Sequence, residues 1–158
     1  MIQHSFYHIR ASKKEAYLSL EWTFTATQAG EIPIQLPIWR PGRYQAQHFA
    51  KNIPTVFQKK EGEYLPLPKD SSSRWTVSAQ QSERIHLVWE YFAQQEDAGG
   101  SVAQPDFLYL NFINCCLYVP GCEDLPVEVQ LSFPESWQTL TALKWKMGQT
   151  YAAQSFRQ

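Results

Sequence analysis

Sulfur is scarce in this chain and badly placed for bridging. The 158 residues contain three cysteines, Cys115, Cys116 and Cys122. An odd number with two of them adjacent is a poor disulfide framework. Reduced thiols in a cytoplasmic protein are the simplest expectation, and the spacing fits no zinc pattern. An excess of one charge is lacking too, with 14 basic against 15 acidic residues and a formal net charge of -1. Such a balance sets up no field for nucleic acid or an acidic membrane, and neither partner is expected. No stretch reaches the roughly 18 apolar residues of a membrane span. Residues 1–6 lack the basic and then apolar segments of a signal peptide.

Signatures of chemistry are equally thin. The chain has no His-Glu-x-x-His pair, no P-loop and no dinucleotide fingerprint. It has no Gly-x-Ser-x-Gly elbow. Glu96-Asp97 is a carboxylate pair, but neighbours on an extended chain point apart, so a solvated loop is expected there. Cys115-Cys116 lies in an apolar run where a thiol stays protonated. No acid, base and nucleophile set is visible. Catalytic residues, metal ligands and cofactors are therefore not expected in this chain, and it should be inactive alone.

What is present is aromatic residues, at 15% of the chain, and alternation. Aromatic content this high favours sheets. Leu18, Leu20, Trp22 and Phe24 alternate with Ser19, Glu21 and Thr23, which predicts a strand with one buried and one wet face. Ile32, Ile34, Leu36 and Ile38 alternate with Pro33 and Pro37 among others. Prolines cannot donate to a ladder, so this reads as an edge strand. Further strands are expected over residues 4–11, 53–57, from Trp75, over 85–91 and over 127–133, with a last one over 139–145. His86 is expected on a solvent-facing strand position. Residues 45–52 have modest helical content. Glu61-Gly62-Glu63 reads as a hairpin turn, with Tyr64, Leu65 and Leu67 returning to the core. Residues 69–73 read as a solvated loop, and residues 94–104 as the longest flexible one. Residues 108–119 are apolar on both parities and suggest a central covered strand. The expected fold class is all-β, an antiparallel β-sandwich with little helix. Residues 1–148 would form the domain, and 149–158 would begin a linker.

One stretch breaks the alternation, Pro37-Ile38-Trp39-Arg40-Pro41-Gly42-Arg43-Tyr44. Pro41 fixes its own φ and Gly42 supplies the positive φ of a Pro-Gly turn. Two readings stand side by side. In one, Trp39 and Tyr44 plug the core of a rigid corner. In the other, Trp39, Arg40, Pro41, Gly42, Arg43 and Tyr44 face a partner, since aromatics and Arg dominate interface hot spots. His48 follows, either binding a substrate carboxylate or capping local backbone. A core Trp39 would make Trp39→Ala cost about 3–5 kcal/mol, and a surface ring under about 1 kcal/mol.

This corner, followed by Phe49-Ala50-Lys51, resembles the Pro-x-Trp-x-Pro-Gly-x-Tyr…Phe-Ala-Lys/Arg signature at the amino-terminal domain of the glycyl aminopeptidase family, metallopeptidase family sixty-one. Trp75, residues 88–93, residues 117–121 and residues 127–137 agree in order. The resemblance implies a β domain that precedes a thermolysin-like zinc domain, often with a PDZ-like domain after it. The zinc would sit in that absent catalytic domain, because no zinc ligand or catalytic Glu of the family has a counterpart here. The implied partners are the chain's own downstream catalytic domain and the peptide substrate of the parent enzyme. Many members carry an acidic residue where this chain has His48. The alternative function is a free-standing β-sandwich module that binds a peptide or a carbohydrate through the corner and residues 94–104.

Overall fold

The computed structural model describes residues 1–39, 42, 44–94 and 99–158. Its first strands follow the alternation closely. β1 (Ile2–Ala11) and β2 (Tyr17–Ala26) pair antiparallel, and every second residue of β2 is buried. β3 (Gly30–Gln35) leads to the corner, and a 3-10 turn (Phe49–Asn52) is all that forms of the helical stretch. Then come β4 (Val56–Lys60), β5 (Glu63–Pro66), β6 (Lys69–Ser71), β7 (Arg74–Ala79) and β8 (Arg84–Phe92). A small hairpin, β9 (Val102–Gln104) and β10 (Phe107–Tyr109), precedes a single helical turn, α1 (Phe112–Cys115). β11 (Val127–Ser132), β12 (Lys144–Met147) and β13 (Thr150–Ala153) complete the described strands.

Among the described residues the large sheet runs β12-β13-β11-β1-β2-β8-β4-β5. Its pairs are antiparallel except β1 with β11, which lie parallel with Ser5 opposite Val127 and Arg10 opposite Ser132. A three-stranded sheet, β3-β7-β6, forms the second layer, with the proline-bearing β3 at its edge as expected. The expected all-β, sandwich-like class holds, with little helix.

One apolar cluster lies between the layers. Tyr7 and Ile9 of β1, Leu18 to Phe24 of β2 at alternate positions, and Ile85 to Tyr91 of β8 at alternate positions meet Ile32, Ile34, Trp75 and Val77 of the small sheet. Tyr7 stacks on Trp22 at 5.4 Å between centroids, and Trp22 meets Phe24 at 4.4 Å. The outer face of the large sheet carries the polar half of the alternation, including His8, Glu21 and His86.

Several expectations fail for physical reasons. Residues 108–119 form no central strand. They make β10, α1 and then an extended run from Cys116, and burial is continuous from Asn114 at the end of α1 to Leu117. Residues 114–117 are buried consecutively while Tyr109 is 49% exposed, and an apolar stretch of this kind cannot be told from a strand by periodicity alone. Tyr64 and Leu65 lie on the exposed strand β5 rather than in the core, at 56% and 45% exposure. The solvated loop at 69–73 contains strand β6, although it is exposed. The strand expected over 53–57 begins three residues later, at Val56, and that expected over 139–145 begins at Lys144. The segment expected to open a linker, 149–158, carries β13, which pairs with β11 and β12. Phe156 then stacks on Tyr118 at 5.1 Å. Thr-Tyr-Ala-Ala is too short and too small in side chain to announce itself as a strand.

The buried run is held by the polar tips of inner-face aromatics. Tyr7 donates its hydroxyl to the Leu117 carbonyl at 2.6 Å, and the Trp89 indole donates to the Cys115 carbonyl at 3.0 Å. Tyr118 and Gln35 exchange two backbone bonds of 2.9 Å, which joins the run to the edge of β3. Burial pushes the Tyr7 phenol well above its ordinary range, so it is a permanent donor. Tyr7→Phe leaves a buried carbonyl without a partner and should cost about 1–3 kcal/mol, read from urea unfolding. Cys115 and Cys116 are buried and Cys122 is half-buried, and burial raises the Cys115 thiol further. A thiol reagent applied to the native protein should therefore modify Cys122 first, and reach the other two at matching rates only in denaturant, as followed by mass spectrometry.

Candidate functional site

The corner leaves the second layer at Leu36, which is fully buried, and re-enters at Phe49 and Ala50, which are buried as well. Gln47 donates its backbone N–H to the Ile38 carbonyl at 2.6 Å and closes the neck. The intervening residues thus stand on a pinned base. Gly42 has φ +83, as the Pro-Gly turn requires, and a Cβ there would meet no atom within 4 Å. The glycine is needed for its dihedral rather than for space.

Trp39 is 57% exposed and Tyr44 is 99% exposed. The reading in which these rings plug the core is therefore corrected: Leu36 and Phe49 anchor the corner, and the two rings face outward. Arg40, Pro41 and Arg43 lie outside the described residues, as do Glu96 and Asp97 of the expected flexible loop. His48 is exposed at the start of the 3-10 turn, and its side chain makes no capping bond. Of the expected site residues, the structure thus places Trp39, Gly42, Tyr44 and His48 on one exposed segment.

Sequence reasoning missed the neighbouring groove. A cavity of about 730 Å³ opens where the inner face of β1, β11 and β13 runs past the small sheet. Tyr7, Val127, Val129 and Ala153 make its floor, with Leu143, Phe112, Tyr118 and Phe156 on its walls. Tyr109, Asn111, Glu123 and Arg157 supply polar groups around it. Burial, and then the nearby Glu123 carboxylate, push the Tyr118 phenol upward, so it stays neutral. Pro37 lines the same cavity, so the corner and the groove form one continuous surface. The signal available in sequence was the aromatic content of residues 107–118. It points to a wall only once the helical turn is known.

Among the described residues no three His, Cys, Asp or Glu side chains come together to hold a metal ion.

The two unequal β layers, with an exposed aromatic corner and an apolar groove beside it, define a β-sandwich-like domain. Residues 6–158 match the family described as Peptidase M61 N-terminal domain, and the chain belongs to that family. It is also similar to a solved structure, the aminopeptidase N family protein from Idiomarina loihiensis, with a TM-score of 0.83 and 25% sequence identity. That match covers 99% of this chain and 27% of the other, so the chain spans about a quarter of its structural neighbour. No curated protein matches.

Because the Trp39 ring is outside the core, Trp39→Ala should change stability by less than about 1 kcal/mol in urea unfolding.

Proposed function

We propose that the chain is the non-catalytic amino-terminal β domain of a zinc-dependent aminopeptidase, and that the corner and groove brace the catalytic domain and shape the cleft that receives a peptide amino terminus. The observation that carries this reading is the pair of exposed rings, Trp39 and Tyr44, on a loop closed at its neck by Gln47 and continuous with the groove through Pro37. Exposed aromatics cost an isolated domain solubility and contribute nothing to its core, whereas a partner gains from them as rigid anchors. The family match and the neighbour's name support an aminopeptidase context. Zinc, a downstream catalytic domain, peptide as substrate and a cytoplasmic setting are parts of the same proposal.

The test uses the two parts of a longer family protein made as separate polypeptides and mixed in a calorimeter. Trp39→Ala combined with Tyr44→Ala should weaken association by about 2 kcal/mol or more. It should also lower peptide turnover by the reassembled enzyme. Unchanged association and unchanged turnover would remove the corner from the interface. Tight binding of a glycan or peptide by this chain alone, lost in the same variant, would instead favour the free-standing binding module.

A further inference from the structure

The outer face of the large sheet, opposite the groove, holds a constellation that no motif announced. His8 Nε2 lies 2.6 Å from the Ser132 hydroxyl oxygen. The other ring nitrogen, Nδ1, lies 3.6 Å from Glu21 Oε2. With the proton on Nδ1 facing the carboxylate, Nε2 accepts from the Ser132 hydroxyl. Arg10 stands directly across from Ser132 in the β1–β11 register, and its guanidinium lies 3.6 Å from Glu21 Oε1. These are the parts of an activated nucleophile: a serine, a base, an acid that orients the base, and a cation beside them.

We infer that Ser132, His8 and Glu21 form a serine–histidine–glutamate relay competent to cleave short carboxylic esters. The assembly depends on topology. β2 returns antiparallel to bring Glu21 opposite His8, and β11 arrives parallel on the other side to bring Ser132. Alternation puts all three side chains on the same face. The Nδ1–Glu21 distance is longer than a hydrogen bond, and relays of this type tighten when substrate arrives. His86 Nε2 lies 3.7 Å from the same Glu21 oxygen, buried and without a hydrogen-bond partner. Burial pushes His86 below the usual imidazole range against the pull of Glu21, and Lys59 and Arg84 push it the same way. A neutral His86 leaves the Glu21 charge to His8 and Arg10. A depression of about 400 Å³ on the same face shares Arg10 and Glu21 with the relay but extends over β2, β8 and β4, away from Ser132.

The reaction runs in two halves. The Ser132 oxygen bonds to the carbonyl carbon while its proton passes to His8 Nε2. The carbonyl oxygen takes up the negative charge beside the Arg10 guanidinium. The adduct then expels the alcohol, which takes the proton from His8, and leaves an acyl group on Ser132. Water attacks that acyl group, gives its proton to His8, and departs as the carboxylic acid once Ser132 recovers the proton. No metal, oxidant or reductant enters the balance. The relay runs against the expectation that the chain is inactive alone, and it is independent of the bracing role because it uses the opposite face of the sheet.

The experiment treats the purified chain with a fluorophosphonate probe, and measures p-nitrophenyl acetate hydrolysis in the presence of EDTA. Mass spectrometry should place the probe on Ser132. Ser132→Ala and His8→Gln should each lower hydrolysis at least about ten-fold, and His8→Gln should also abolish labelling while Ser132 is still present. Ser78→Ala, an exposed serine on β7, should leave both readings unchanged. All variants are compared after their circular dichroism and melting curves match the parent. Absence of label at Ser132, or hydrolysis indifferent to Ser132→Ala, would reduce the constellation to a surface hydrogen-bond network and overturn the inference.

Discussion

Irregular backbone inside a core must find partners for its carbonyls, and that requirement organises this domain. The small sheet is too narrow to cover the large one. Residues 114–119 complete the cover without a ladder of their own. Their carbonyls are satisfied by the Tyr7 hydroxyl and the Trp89 indole, donors that rise from the floor of the core. Asn114 adds a buried bond from its amide to the Gly99 carbonyl at 2.6 Å. Aromatic residues serve here as packing mass and as polar tethers at once. The Tyr118–Gln35 bridge then fixes the end of β3, and so fixes where Pro37 and the corner begin.

Long alternating segments were legible from residues alone. β2 and β8 bury every second side chain, and their period survives in the structure because each faces the core on one side and solvent on the other. The edge position of β3 was legible in Pro33. Residues 108–119 were not, because consecutive burial from Asn114 to Leu117 erases the period that separates strand from coil. β13 was not legible either. It is held by its neighbours β11 and β12 rather than by its own preferences, an instance of tertiary context overriding propensity. At the site, the outward turn of Trp39 and Tyr44 was open in sequence. The anchors Leu36 and Phe49 do the burying, so the rings between them are free to face away. The groove and the Ser132–His8–Glu21 arrangement lay beyond any local reading, since both require β1 and β11 to be side by side.

The large sheet thus carries separate business on its two faces. Its inner face supplies the core and, past the reach of the small sheet, the floor of the groove. Its outer face holds Glu21 within 3.6–3.7 Å of Arg10, His8 and His86, a single carboxylate at the centre of the three. Alternation along β1 makes this possible: Tyr7 belongs to one face and His8 to the other.

The parallel union of β1 with β11 also constrains the order of events at the ribosome. β1 must wait until more than a hundred further residues have been made before one flank of it is covered. Contacts of such sequence separation slow folding, and the uncovered strand offers a template to other chains meanwhile. A nascent chain stalled before residue 127 would therefore leave the β1 edge bare, and its clearance falls to chaperones rather than to completion of the domain.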